Sequence, residues 1–434
     1  MIRTRAGPVT ALIAIAVGVA ACSGAGGSPG EPENGEAGET IVSFVLFGDP
    51  TETAGYETLA AQFEAANSDV DVQLGPVASQ DDLLARLTTS FAGGNPPDVF
   101  LINYRSYGQF AQQGVLASVA DRLIASEVIA EDEFAEPALA AFRFDGAELT
   151  CLPQNVSSLA LYYNIGLFEA AGLPLPEAGW TWADFLTAAQ RLTGDGQYGL
   201  GTQASLIRLA PFVWSAGGEV VDDDAAPTAL TLDTPDARRG VDFFLDLQTE
   251  HGVVPPEAEE QSRESEARFL DGDLGMYLNS RRVVPTLRTI ESFQWDVAPL
   301  PVGPAGEPVS ILHGDAYCMS AASSVQGVAW RFIEYASSVE GQTVLAESGR
   351  TVPSRTDVAS SEAFLRTDVP PASARVFLDA LATLRALPHT ARWSQVEGVA
   401  DELIEAMFYG RLEREEGLRR LADVTGPLLG GPSA

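Results

Sequence analysis

The sequence predicts an α/β fold, and three observations carry that reading. Short β-branched apolar runs alternate with amphipathic stretches at helical spacing between residues 40 and 102. Gly, Pro and Asn clusters such as Gly93-Gly94-Asn95-Pro96-Pro97 separate them. The same alternation resumes at Leu149 and runs on to two terminal helical stretches. Strand, helix, strand, helix, strand is the pattern of a parallel sheet with crossover helices.

In order, Thr40 to Leu46 reads as a strand closed by Gly48-Asp49-Pro50. Tyr56 to Ala66 carries Leu59, Phe63 and Ala66 at helical spacing. Val70 to Leu74 alternates as a strand, Gln80 to Phe91 is an amphipathic helix behind a Ser79 cap, and Asp98 to Ile102 is a third strand. Ligands of such sheets bind beyond the carboxyl ends of the strands, here Phe47-Gly48-Asp49 and Asn103-Tyr104-Arg105. Leu149 to Pro153 and Leu159 to Tyr163 are further strands, followed by a short helix to Gly172. Thr181 caps the next helix. Residues 200–230 are mixed. Helices are expected over Pro235 to Glu250 and Glu259 to Leu270, and strands over Gly275 to Leu278 and Trp295 to Leu300. Val309 to Leu312 and Tyr317 to Met319 are strands bracketing His313-Gly314-Asp315. Gln326 to Ser337, Val399 to Phe408 and Leu412 to Val424 close the chain as helices.

Ahead of the first strand, Arg3 and Arg5 precede an uncharged apolar run from Ala11 to Ala21, which ends at Ala20-Ala21-Cys22. A secretory leader has a basic start, an apolar run of about 7–15 residues and small residues at the cut. A bilayer span needs roughly 20 apolar residues, so this run is too short to cross. A cysteine directly after two alanines matches a bacterial lipobox, in which lipid is added to the thiol and cleavage leaves Cys22 first. Residues 23–38 are Gly, Pro, Glu and Ser with no large aliphatic side chain, and read as a flexible tether. The expectation is an extracytoplasmic protein held at the cell membrane by lipid at Cys22 alone.

Roughly 410 residues remain beyond the leader, which points to two or three lobes rather than one core. The formal net charge is −34, and all 26 basic residues are arginine. Such acidity argues against nucleic acid and against adhesion to anionic lipid. A solvated, self-repelling surface accounts for it. Three cysteines are present. With Cys22 lipidated, Cys151 and Cys318 remain in an oxidising compartment, as one disulfide or as two buried thiols.

Signatures of catalysis are missing from the sequence. There is no G-x-S-x-G elbow, no P-loop and no G-x-G-x-x-G after a strand. His251, His313 and His389 lack zinc-ligand spacing, and Asp222-Asp223-Asp224 lacks calcium-loop spacing. With 60 carboxylates, a glycosidase-like pair can be drawn anywhere, so the choice carries no information.

An ordered set of motifs spans nearly the whole chain. It includes Phe63-Glu64-Ala65-Ala66-Asn67, Gly94-Asn95-Pro96-Pro97-Asp98-Val99, and Gly114-Val115-Leu116. The long run from Tyr163-Asn164-Ile165-Gly166-Leu167-Phe168 to Gly172-Leu173-Pro174 follows, then Trp180-Thr181-Trp182-Ala183-Asp184-Phe185. Pro299-Leu300-Pro301-Val302-Gly303-Pro304, the helix with Trp330 to Tyr335, and Gly349-Arg350-Thr351-Val352-Pro353 complete it. In order and spacing these resemble the family 1 extracellular solute-binding proteins of ABC importers, the group with maltose and glycerol-3-phosphate binding proteins. The resemblance implies a periplasmic-binding-protein-like type II fold, two α/β lobes joined by a multi-strand hinge. Lobe 1 would hold residues 39–150 plus 309–352, and lobe 2 residues 153–306 plus 355–434. It also implies a monomer that captures a mono- or oligosaccharide by lobe closure and hands it to a permease, with no cofactor, no metal and no catalysis. Glycerol 3-phosphate or a related organophosphate is the alternative ligand, and a secreted carbohydrate-active enzyme the alternative class. In the family the crossing segments run side by side at the hinge, which implies a Cys151–Cys318 disulfide.

Sugars are held by aromatic faces and planar polar groups. Candidates at strand ends and loops are Asp49, Tyr104 and Arg105 from lobe 1, and Asn155, Trp214, Asn279, Ser280 and Arg281 from lobe 2. His313, Asp315 and Arg350 lie near the hinge, and Trp393 in the C-terminal part. Trp214 is equally readable as core, and His313 as a hinge hydrogen-bonder. Arg281 and Arg282 are adjacent, so one of them faces the cleft. Arg105 opposite Arg281 would suit an anion, because a guanidinium meets carboxylate or phosphate in a two-pronged fork.

Overall fold

The computed structural model describes residues 39–146 and 148–430, so the expected leader, Cys22 and the tether lie outside it. β1 (Thr40–Phe47) leads into α1 (Pro50–Ala66), which starts six residues before its apolar spacing becomes visible. The reason is capping: the Asp49 carboxylate accepts from the Glu52 N–H at 3.0 Å, and Pro50 occupies the first turn. β2 (Val70–Val77), α2 (Gln80–Ala92) and β3 (Val99–Asn103) follow. α3 (Tyr104–Gln112) then begins without a loop, because Asn103 caps it by accepting from the Arg105 N–H at 3.2 Å. The sequence reading has no helix there.

The chain continues through β4 (Leu116–Ala117), β5 (Cys151–Pro153), β6 (Leu159–Asn164), α4 (Trp182–Arg191), β7 (Tyr198–Gly201), α5 (Leu206–Ser215) and α6 (Pro235–Thr249). The helix expected from Glu259 to Leu270 is two pieces, Glu257–Ser262 and Ser265–Asp271. Ser265 restarts it by donating its N–H and hydroxyl to the Glu260 carboxylate at 2.7 and 2.8 Å. Next come β8 (Leu274–Ser280), β9 (Trp295–Ala298), β10 (Ser310–Ile311), β11 (Asp315–Ser320), α7 (Gln326–Ala336) and α8 (Val339–Glu347). β12 (Leu384–Arg385), α9 (Trp393–Phe408) and α10 (Arg414–Leu429) end the described chain.

Two main sheets form. The first has the order β2-β1-β3-β11-β4, with β5 also on β11. β1 is parallel to β2 and β3, as the crossover pattern requires. β11 is antiparallel to β3, β4 and β5, so the sheet is mixed rather than wholly parallel. The second has the order β7-β8-β6-β9, with only the β7–β8 pair parallel. β10 and β12 form a separate parallel pair. Cys151 stands opposite Cys318 in the β5–β11 register, and the two are joined as a disulfide.

The apolar core is divided in the same way. One cluster packs around the first sheet and draws on residues from Val42 to Val156 and from Leu312 to Leu345. The second sheet is covered on both faces. Leu159, Leu161 and Tyr163 of β6 enter one cluster, while Ala160 and Tyr162 enter another, the period-2 alternation of a strand. The first of these also takes Trp393 to Leu421 from the C-terminal helices, and the second takes Ala346 to Phe377. Chain therefore passes between the two cored regions at residues 153–159, 311–312 and 345–346, and the backbones of Ser157 and His313 pair there.

Candidate functional site

Where the two cored regions meet there is a cavity of about 560 Å³. The first region supplies Phe47 from the end of β1, Glu52, Ser79, Gln80, Asn103 and Arg105. The second supplies Gln203, Ile207, Arg208, Ser280, Arg281 and Arg282, and the joining segments supply Asn155, Ser157, His313, Asp315, Arg350, Thr351 and Val352. Phe47 and Asn103 are the carboxyl ends of parallel strands, which is where an open α/β sheet presents a ligand site.

The carboxylates of this cavity are engaged. Asp315 accepts from Asn103 Nδ2 at 3.1 Å and from Asn155 Nδ2 at 2.9 Å. Glu52 accepts from Arg350 Nε at 2.5 Å. Burial pushes the Glu52 carboxyl up to about 7, Arg350 pulls it back, and Asp315 and Asp49 raise it further. Arg105 is buried, and its Nε reaches Glu397 of α9 at 2.9 Å. Burial is the largest single influence on Arg105 and lowers its ionisation, but Glu397, Tyr104 and Asp315 together outweigh it and hold the guanidinium charged. His313 is held well below the usual histidine range, by burial first and then by Arg105, Arg208 and Arg282. The imidazole is therefore neutral near pH 7, in a field set by three guanidinium groups.

Seven of the expected ligand residues line the cavity: Arg105, Asn155, Ser280, Arg281, His313, Asp315 and Arg350. The other five do not. Asp49 is spent as the α1 cap and as a partner of Arg350 Nη1 at 2.5 Å, one step behind the lining. Tyr104 is fully buried, and its hydroxyl accepts from the Leu387 N–H at 3.1 Å. Asn279 is buried between Arg208 and Tyr277. Trp214 and Trp393 both belong to the apolar cluster of the second sheet. Trp393 opens α9 with no exposed surface, so its loop-like sequence setting is in fact the buried start of a helix. Trp214 lies under the Arg385 guanidinium, 4.9 Å from the ring centroid. The arginine pairing also changes. Arg281 lines the cavity but carries its guanidinium over the rings of Phe364 and Phe377, at 4.6 and 5.3 Å. Arg208 and Arg282 stand with Arg105 instead.

Sequence reasoning missed Glu52, Gln203 and Arg208 in the lining, and Glu397 and Asp401 behind it. It expected only one of Arg281 and Arg282 at the cleft, but both line it, because the strand ends at Ser280 and the pair sits in a helical turn. For Arg208 a signal existed: it is the one charge in the otherwise apolar helix Leu206–Ser215. Glu52 carried none, because an acidic residue in a first helical turn is ordinary. Beside the cavity, sharing Gln203 and Arg282 with it, is a second hollow of about 410 Å³ walled largely by carboxylates, Glu257, Glu260 and Glu405 among them.

The profile of the bacterial extracellular solute-binding proteins matches residues 48–343. A putative binding protein of Brucella abortus is 24% identical over 373 residues, 85% of this chain and 88% of the relative. The diacetylchitobiose binding protein DasA of Streptomyces coelicolor is 24% identical over 389 residues, 88% of each chain. An ABC substrate-binding protein of Listeria monocytogenes, solved with cycloalternan, superposes with a TM-score of 0.83 at 22% identity, covering 90% of this chain and 99% of that one. At that identity the superposition shows the fold, a periplasmic-binding-protein-like type II architecture.

Proposed function

Because this chain belongs to the bacterial extracellular solute-binding protein family and so acts outside the cytoplasm, we propose that it captures a mono- or oligosaccharide and delivers it to the membrane permease of an ABC importer. The observation that carries the reading is the cavity itself. At about 560 Å³ it falls within the roughly 300–1,000 Å³ of small-molecule sites, and it draws its lining from both cored regions. Amide and carboxylate groups such as Asn155 and Asp315 are the planar donors and acceptors that sugar hydroxyls take. DasA is a diacetylchitobiose binding protein and the Listeria protein was solved in complex with cycloalternan, which supports a sugar here.

The two cored regions serve as the lobes, divided where the chain crosses at residues 153–159, 311–312 and 345–346, so that 309–311 and 346–352 go with the second lobe rather than the first. They swing about the joining segments to enclose the solute. Capture and release make and break no covalent bond. Lipid at Cys22 tethers the mature protein to the membrane, so that the loaded form stays near its permease.

A thermal-shift screen of the purified full chain against mono- and oligosaccharides tests this, since a solute that binds only the folded state raises the melting midpoint. A saturable rise that Asn155→Ala and Asp315→Ala weaken at least tenfold is expected. Hydrolysis of a bound saccharide, or binding untouched by both substitutions, contradicts it.

A further inference from the structure

The cavity holds more cationic side chains than it neutralises. Arg105 has Glu397, Arg350 has Asp49 and Glu52, and Arg282 has Glu266 at 3.6 Å. Arg281 has two aromatic faces. Arg208 has neither. It is 3% exposed, and its Nη2 donates to the neutral Asn279 Oδ1 at 3.1 Å. Its Nε and Nη1 have no partner among the described residues, and neither does Arg105 Nη1. A buried charge without a counter-charge is costly, and a buried donor without an acceptor adds to that cost. Burial lowers the Arg208 ionisation to about 10, with Arg282 and Arg105 repelling it further, which leaves it cationic at neutral pH. The nearby carboxyl of Asp401 accepts the Leu206 N–H at 2.7 Å and is itself pushed up to about 7, chiefly by burial. It is a weak counter-ion. The neutral His313 adds Nε2, buried and unpartnered among the described residues.

We propose that the solute is an anionic saccharide, and that Arg208 with Arg105 grips its carboxylate or phosphate group. Three unpartnered guanidinium nitrogens on two mutually repelling cations are the complement of an oxyanion, which takes charge-assisted bonds from a fork of donors. The anion also relieves the Arg105–Arg208 repulsion, so its arrival in the cavity favours the loaded state. A neutral sugar would leave Arg208 without a counter-charge. This inference rests on the saccharide reading above.

Six probes separate the cases on the purified full chain: glucuronic and galacturonic acids against glucose and galactose, glucose 1-phosphate, and glycerol 3-phosphate. The acidic sugars or the sugar phosphate are expected to bind at least a hundredfold more tightly than the neutral sugars. Arg208→Met should abolish that preference, and Arg208→Lys should retain part of it. Binding of glycerol 3-phosphate with no sugar acid or sugar phosphate would keep the anion grip and remove the saccharide. Preferential binding of neutral sugars would overturn the anion grip and keep the saccharide. A ligand-independent arm guards against a folding defect and against an incomplete panel. If Arg208 is held for a ligand, unliganded Arg208→Met melts at or above the wild-type temperature, because it removes an uncompensated charge. Millimolar inorganic phosphate should then raise the wild-type midpoint and not the variant's. A lower midpoint for Arg208→Met together with an equal phosphate response in both proteins overturns the proposal.

Discussion

Arg350 and Glu52 form an ion pair of 2.5 Å with both side chains nearly buried, and it ties the segment after α8 to the first turn of α1. Arg350 also reaches Asp49, the cap of the same helix. One guanidinium thus holds the helix start that borders the cavity to a joining segment of the two cored regions. Arg350→Gln is expected to cost roughly 2–4 kcal/mol in denaturant unfolding, somewhat less than a fully buried pair, because the orphaned Glu52 can take up a proton. Solute affinity should fall with it. A stability change under about 0.5 kcal/mol, the range of ordinary surface substitutions, would show that the pair holds nothing.

The raised carboxyls give a pH prediction. Asp401 moves from its usual 3.8 to about 7, with burial the largest cause, and the Leu206 N–H acting against it. The folded chain then keeps a proton that the unfolded chain has lost. Its stabilising contribution is full below about 4 and disappears as pH rises through 7. Asp401→Asn keeps the acceptor for Leu206 and cannot ionise. Its melting midpoint should therefore gain on wild type steadily from pH 4 to 7 and level off above 8. His313 acts in the opposite sense, losing stability as pH falls below its usual 6.5, so the difference between the two proteins is the quantity to follow. A pH-independent difference would contradict the buried, proton-retaining Asp401.

Cys151 and Cys318 are joined across 167 residues of sequence, on neighbouring strands with no exposed surface. Closing so long a loop in the unfolded chain stabilises by roughly 3–5 kcal/mol. The Cys151→Ala/Cys318→Ala protein should lose about that much, and alkylation followed by mass measurement should find both thiols only after reduction. Two thiols accessible in the unreduced, unfolded protein would contradict the link.

Gly108 fixes α3, and Arg105 with it, against the segment before α9. A Cβ there would stand 1.8 Å from the His389 carbonyl oxygen, which belongs to backbone and cannot rotate aside. Gly108→Ala should cost roughly 1–3 kcal/mol by overpacking and weaken solute binding by displacing Arg105. Unchanged stability would mean that residues 388–390 shift freely.

What could be read from the chain follows a physical divide. Periodicity exposed β1, β2, α2 and β6, because each buries one face or both against its own region's core. It could not show that β11 runs antiparallel between β3 and β4, since strand direction is set by where the chain returns from, not by its side chains. α3 was hidden because Asn103 ends a strand and caps a helix at once. At the site, the polar residues beside strand ends, Arg105, Asn155 and Asp315, are in the lining, where strand-end position and residue type point the same way. Tryptophan was the poor guide. Trp214 and Trp393 look like sugar platforms by type, yet their large apolar area places them in the core.

Trp393 makes that point measurable. Trp393→Phe should lower stability by roughly 1–2 kcal/mol through the space it leaves, and leave solute affinity within threefold. A loss of affinity beyond tenfold with no change in stability would return Trp393 to the ligand set.

Solute is expected to sit in the cavity between the two cored regions. Hydrogen exchange of the full chain, with and without a saturating solute from the thermal-shift screen, tests it most directly. Slower exchange is expected together at residues 103–106, 155–158, 205–208 and 313–315, which come from both regions and from the segments that join them. Protection confined to one region, such as the apolar hollow beside residues 176–179 and 297–300, or none at saturation, would contradict it.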